Sequence, residues 1–338
     1  TSMAHRSRPA SQTGQMVSGL TSQFNVNRVF FVDNIMPKEY VSDLLPFLSN
    51  KNLVLFYEVK ADLVEADFKS MREAGVRFLQ PGIESLSTEL LCLMQKGTSA
   101  LLNIECLRLC REYGIRPTWS LLFGFPGEDS SNYDEMASLM PSLFHLRPPN
   151  GLFPIRYDRF SAYFYDPKRW SLELKASSAY KYIYPGYLGG YEDIAYYFQD
   201  TSAGGSGLGH RCNSTSLQSC NEVVQQWQEA WMIDPCEEEP LPSLKMVYDD
   251  NGIWVVHDAR FGEPESSLID EAMAALLLYC RHRRSRADLN KFSRSIFMTG
   301  FDSLDDLLRQ AISRRWIIFG DGMWLTLVMI LDPDQPSL

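Results

Sequence analysis

The chain has 338 residues, 45% apolar and 22% charged, a composition that excludes a collagenous, disordered or disulfide-stapled protein. Its 32 Lys and Arg against 42 Asp and Glu leave a net charge of −10, which excludes wrapping of nucleic acid through the overall field and makes any polyanion site local. The longest apolar runs, 323–331 and 272–280, fall short of the ~20 residues that span a bilayer, and the opening Thr1-Ser-Met-Ala-His-Arg-Ser-Arg-Pro has no apolar signal core. Seven cysteines, an odd number in no compact framework, fit reduced thiols, so a cytoplasmic protein without membrane contact is expected.

From 29 to about 164, β-rich runs alternate with amphipathic stretches, the signature of βα units around a parallel sheet. Strands are predicted at 28–33, 53–60, 76–84, 116–124 and 152–160. Two intervening helices end at Gly75 and Gly114, where glycine can take the left-handed conformation before the next strand. Leu102, Cys106, Leu109 and Cys110 share one helical face. Right-handed crossovers in succession coil such units into an open or closed α/β barrel.

Beyond Phe164 the alternation dissolves. Residues 180–197 are rich in tyrosine and could grip a peptide or pack over the open side of the barrel; 204–209 are glycine-rich, and 234–240 form an acidic linker. Between them Ser219-x-x-Glu222 has the capping-box pattern that opens a helix ahead of Val223, Trp227 and Trp231. A hairpin is predicted over 245–259, turning at Asp249-Asp-Asn-Gly252. Two helices opened by Ser267-x-x-Asp270 and Ser303-x-x-Asp306, then β runs either side of Gly320-Asp-Gly322, give the order of a winged helix. The expected division is a partial barrel over 1–165, a loop-rich region over 166–240 and a hairpin plus winged-helix-like α+β region over 241–338.

Ligands of parallel α/β sheets sit at the carboxyl ends of the strands. With a period of two, Glu58 and Lys60 share a face, as do Gln80, Gly82 and Glu84, and likewise Arg156 and Asp158. Pointed into the barrel, these residues suit a zwitterionic ligand that also carries sugar hydroxyls; otherwise they are ion pairs at strand ends.

Gln80-Pro-Gly-Ile-Glu84-Ser85-Leu, the run at 90–97 ending Lys96-Gly97, the helix ending at Gly114 and Phe123-Gly-Phe-Pro-Gly-Glu128 together resemble radical S-adenosylmethionine enzymes. Within them the match is to the cobalamin-dependent class that matures ribosomally made peptides, often as C-methyltransferases. Segments 1–7, 32–35, 57–63, 143–149 and 155–160 look like the same class, from Thr1 to about Phe198. The resemblance implies an α/β fold: a partial (β/α)6 radical SAM barrel followed by the α+β region. It implies cofactor contacts at Gly82, Glu84 and Ser85, with the Gly124-Phe125 turn near the adenine and Ser120 facing the lumen. Glu58 and Lys60, and the catalytic candidates Arg156 and Asp158, are left for the cofactor's polar tail or the substrate.

The family's three-cysteine cluster loop is absent. Cys106 and Cys110 lie on an apolar helix face and are expected to be buried as small hydrophobes. Thr1 to Ser7 resemble the segment directly after that loop, so the resemblance implies a barrel without its first strand and cluster loop, inactive by itself, in a longer enzyme. That enzyme uses S-adenosylmethionine, a 4Fe-4S cluster and cobalamin on a precursor peptide. Two other readings stand beside it: a non-catalytic peptide- or nucleotide-binding scaffold, and a DNA-binding regulator acting through Arg281, Arg283, Arg284, Arg286, Lys291 and Arg294. The acidic balance argues against DNA at that basic cluster and leaves a peptide leader or a solvated helix face, between which the resemblance points to peptide recognition. The histidines at 5, 145, 210, 257 and 282 show no metal-ligand spacing, and Gly205-Ser-Gly-Leu-Gly209 reads as a loop rather than a phosphate cradle.

Overall fold

The computed structural model describes residues 7–33, 35–186, 189–202, 215–232, 241–249, 251–296 and 303–330. His5, Asn34, the glycine-rich run at 204–209, His210, Cys212 and the acidic run at 234–240 lie outside the described residues.

Strands β1 (Arg28–Phe30), β2 (Val54–Val59), β3 (Val76–Pro81) and β4 (Arg116–Pro117) form one parallel sheet in that order. Strands β5 (Leu121–Phe123) and β6 (Leu152–Pro154) continue it as a parallel pair, joined by a parallel bridge between Glu84 and Leu121. The result is the parallel α/β architecture of an open TIM-like barrel. Along β2 burial alternates, with Leu55, Tyr57 and Val59 buried and Val54, Phe56 and Glu58 half-buried, so alternate side chains serve the core and the interior of the curve. Helix Glu65–Ala74 buries Phe68, Met71 and Ala74 and ends at Gly75 with φ +96°. Only glycine fits there, because a Cβ would stand 2.2 Å from the Leu53 carbonyl oxygen. In helix Ala100–Glu112 Cys106 and Cys110 are fully buried core residues.

All five predicted strands are shorter than their β-rich runs; 53–60 keeps ladder geometry over Val54–Val59 and 76–84 over Val76–Pro81. The run at 28–33 keeps ladder geometry only to Phe30. The run at 116–124 breaks between Pro117 and Leu121, after the Thr118 amide makes a last bond to the Leu79 carbonyl at 2.8 Å. The run at 152–160 splits after Pro154, and its second half becomes β7 (Tyr157–Asp158), which leaves the barrel for a separate antiparallel sheet with β8 (Leu174–Ala176) and β9 (Tyr197–Asp200) in the order β7-β9-β8. A small aromatic core of Phe125, Ile155, Tyr157, Leu172, Tyr180 and Phe198 lies under that sheet.

Helix Thr215–Glu229 has Ser219 inside it rather than at its N-cap, and buries Cys220, Val224 and Trp227. The hairpin forms as predicted from β10 (Leu244–Tyr248) and β11 (Trp254–Asp258). Ser267 lies within β12 (Glu265–Ile269), so the capping role falls to Asp270, whose carboxylate accepts from the Met273 amide at 2.8 Å ahead of helix Glu271–Tyr279. Strand β13 (Arg284–Ser285), helices Arg286–Ile296 and Leu304–Ser313, β14 (Ile317–Gly320), β15 (Met323–Thr326) and β16 (Met329–Ile330) complete the described chain. Ser303 caps the second of those helices as expected. The sheets order as β12-β11-β10-β16 and β13-β15-β14.

One contiguous apolar core runs from barrel residues such as Leu55, Phe68 and Leu107 to Leu244, Leu276, Trp316 and Leu325, so the C-terminal region completes the barrel's packing. The basic cluster sits in that junction. Arg281 reaches Glu65 at 2.6 Å and Glu112 at 2.9 Å, His282 and Arg283 both reach Glu105 at 2.8 Å, and Arg286 reaches Asp305 at 2.6 Å. Burial alone would raise the Glu65 pKa, but the Arg281 guanidinium outweighs it and holds the carboxyl below its ordinary value. Arg281, Arg283 and Arg286 therefore fasten one part of the chain to another, their charge met at short range by carboxylates of the barrel helices and of helix Leu304–Ser313, so these three do not form the free basic face expected for peptide or DNA.

Candidate active site

A cleft of about 710 Å³ opens at the carboxyl ends of β2, β3 and β5. Glu58, Lys60, Gln80, Gly82, Glu84, Ser120 and Leu122 all line it, so the period-two pairing at the strand ends delivers both sets of polar residues to one cavity. A larger cavity, about 1560 Å³, runs along the outer side of β1 and helix Ala10–Phe24; its walls are mostly apolar, and it shares Lys60 with the first.

The centre of the cleft is Glu84. Its backbone is left-handed, with φ +58°, a conformation that costs a non-glycine residue about 1 kcal/mol or more and that here is held from both sides. The buried Asn103 amide donates to the Ile83 carbonyl at 3.0 Å and to the Ser85 carbonyl at 2.9 Å, and the Glu84 carbonyl accepts from the Leu122 amide at 2.9 Å. The kink lies three residues beyond the end of β3, and the Glu84 carboxylate meets Lys96 Nζ at 2.7 Å at the cleft wall. Each side chain of that pair is about a third exposed. Gly82 lies against the same ammonium: a Cβ would come within 3.2 Å of Lys96 Nζ. Lys96, Asn103 and Gln95 belong to this site although no reading of the sequence gave them a role there. The Lys96-Gly97 pair closes a run that carries the family resemblance without an assigned role, and only tertiary folding carries Lys96 to Gly82 and Glu84 beyond β3.

Other candidates lie elsewhere. Ser85 is fully buried, its hydroxyl accepting from the Ser87 amide at 3.0 Å and facing Met136 Sδ at 3.5 Å, so it stands behind the cleft wall. The amides of Gly124 (φ +93°) and Phe125 are taken by the chain's own Glu128, whose carboxylate accepts from both at 2.9 Å and from the Tyr133 hydroxyl at 2.7 Å. The Gly-Phe-Pro-Gly-Glu motif is thus a self-satisfied turn, and Phe125 belongs to the aromatic core. Arg156 and Asp158 pair with each other at 3.3 Å beside β9, and Arg156 stacks on Tyr197. Leaving the barrel with β7 takes them from the lumen of the cleft.

The cleft's chemistry fits a zwitterion bearing a sugar: carboxylates at Glu58 and Glu84 for cationic groups and hydroxyls, ammoniums at Lys60 and Lys96 for a carboxylate, and Gly82 for close backbone approach. S-adenosylmethionine has these features. An iron–sulfur cluster does not fit in the same way. No group of three or more His, Cys, Asp or Glu stands ready to hold a metal ion among the described residues, where Cys106, Cys110, Cys220 and Cys280 are buried and Cys92 is exposed.

Residues 12–140, which supply most of the cleft's lining, match the Radical SAM superfamily. Among solved structures, the radical S-adenosylmethionine methyltransferase TsrM from Kitasatospora setae with cobalamin and a [4Fe-4S] cluster bound is similar at 14% identity and TM-score 0.44, over 91% of this chain and 56% of that one. A second TsrM structure, with tryptophan and a SAM analogue, is similar at 19% identity and TM-score 0.38, over 45% of this chain and 31% of that one. The cobalamin-dependent radical enzyme OxsB is similar at 15% identity and TM-score 0.36, over 90% of this chain and 41% of its own. The chain thus spans between 31% and 56% of the length of these three structures. No curated protein matches it. No helix among the described residues is long and apolar enough to cross a membrane.

Proposed function

We propose that the chain is the S-adenosylmethionine-holding part of a cobalamin-dependent radical SAM enzyme that methylates carbon in a ribosomally made peptide. The observation that carries the reading is the kinked Glu84, paired to Lys96 beside Gly82 at the mouth of a parallel barrel, within the stretch that matches the Radical SAM superfamily. When bound, S-adenosylmethionine supplies an electrophilic sulfonium with a transferable methyl group. Glu84 and Glu58 would hold its amino group and ribose hydroxyls, Lys96 and Lys60 its carboxylate, and Gly82 admits the ligand's backbone-like tail. Buried Asn103 keeps Glu84 in its strained geometry before the ligand arrives, so the site does not reorganise on binding. No step through an iron–sulfur cluster or cobalamin is derived from the described residues.

The peptide substrate rests on the sequence resemblance, and a cytoplasmic location on the thiol content. The C-terminal order of helix, short strand, two helices and hairpin supports a winged-helix-like unit. The test is calorimetry of S-adenosylmethionine with the purified chain. Saturable binding at one site, competed by S-adenosylhomocysteine, is expected. Absence of binding, with the fold intact by circular dichroism, would overturn the reading in favour of a scaffold without cofactor.

A further inference from the structure

At the opposite ends of the strands the structure holds a second polar cavity that shares no residue with the cleft. It measures about 170 Å³ and is built where helix Ala100–Glu112 turns into β4. Its apolar walls include Leu107, Ile115 and Trp231, and Arg111, Arg116 and Arg147 also line it. Trp231 is fixed by its indole N–H, which donates to the Phe144 carbonyl at 2.7 Å. Arg111 stacks on that ring at 4.8 Å and Arg147 at 5.3 Å. Among the described residues none of the three arginines makes an ion pair; Arg111 and Arg147 are half-buried and Arg116 is exposed.

We infer that this cavity binds a small dianionic oxyanion, phosphate or a phosphomonoester, held by Arg111, Arg116 and Arg147 over the Trp231 platform. Three positive charges gathered without a carboxylate repel one another. Arg111 is held below the ordinary guanidinium value by burial and then by Arg147, and Arg147 by burial and then by Arg116. A dianion reverses that repulsion more fully than a single carboxylate, and planar guanidiniums offer it paired N–H donors at fixed angles. The apolar wall leaves room for a small carbon group on a phosphomonoester. The site is independent of the chemistry proposed for the cleft.

The experiment titrates inorganic phosphate and phenyl phosphate into the chain in about 0.15 M chloride, following heat and Trp fluorescence. One saturable site is expected, weakened about tenfold or more in R111Q/R147Q and unaffected in R309Q, whose arginine pairs with Asp306 elsewhere. Should the double variant fail to fold, R116Q removes an exposed member of the trio and should weaken binding several-fold. No saturable binding, or equal loss in R309Q, would overturn the inference. So would binding that appears only after Glu237, Glu238 and Glu239 are changed to glutamine, since the chain's own carboxylates would then be the natural occupants.

Discussion

Changing Glu84 to glutamine tests the cleft most sharply. The substitution keeps shape and Cβ, so the cost of the left-handed backbone at φ +58° is the same in both proteins and cancels. What is lost is the negative charge facing Lys96 at 2.7 Å, in a pair about a third exposed on each side. Such partly solvated pairs are worth at most about 1 kcal/mol, so urea denaturation should shift by no more than that. Ligand binding should suffer more. A charge-assisted hydrogen bond to an ammonium or ribose hydroxyl contributes about 1.5 to 3 kcal/mol, so affinity for S-adenosylmethionine should fall roughly ten- to a hundredfold by calorimetry. An E84Q protein of normal stability with affinity within about twofold of the parent would refute the reasoning and leave Glu84 as the counterion of Lys96.

Three further outcomes are expected. Arg281→Met strands Glu112 and Glu65 at the junction between the barrel and the C-terminal region and should cost about 2 to 4 kcal/mol in urea; because Glu65 is held low, its share should vanish as pH falls below the ordinary carboxylate range, so parent and variant should converge in acid. Burial keeps His145 neutral, with its pKa well below 6.5 and Nε2 donating to the Leu327 carbonyl; unfolding lets the ring take up a proton, so stability should drop by up to about 1.4 kcal/mol per pH unit below about 6.5, and His145→Leu should lose that slope although its baseline is lower. Glu128→Gln turns an amide N–H toward donors in the Gly124–Phe125 turn and should cost about 1 to 3 kcal/mol by thermal or urea unfolding, and a variant as stable as the parent would mean the turn is held by the aromatic core instead.

The sequence by itself determined the parallel α/β plan, the glycine ends of two helices, the hairpin at 249–252 and the polar strand ends, because each depends on local periodicity or on a backbone conformation that few residues tolerate. Gly75 is legible in this way, since a left-handed turn against the Leu53 carbonyl leaves no room for a side chain. Tertiary structure decided which polar residues meet. Glu58, Lys60 and Glu84 reach one cavity because β2 and β3 are neighbours in register, whereas Arg156 and Asp158, with the same alternation, leave the barrel when β7 pairs with β9. Ser85 and the Gly124 turn face inward because Glu128 and Met136 satisfy them, and Lys96 and Asn103 arrive at Glu84 from other segments, a pairing that no spacing along the chain encodes. Arg281, Arg283 and Arg286 look free in one dimension; their carboxylate partners lie about 170 to 220 residues earlier or on helix Leu304–Ser313, and only folding brings those charges within reach.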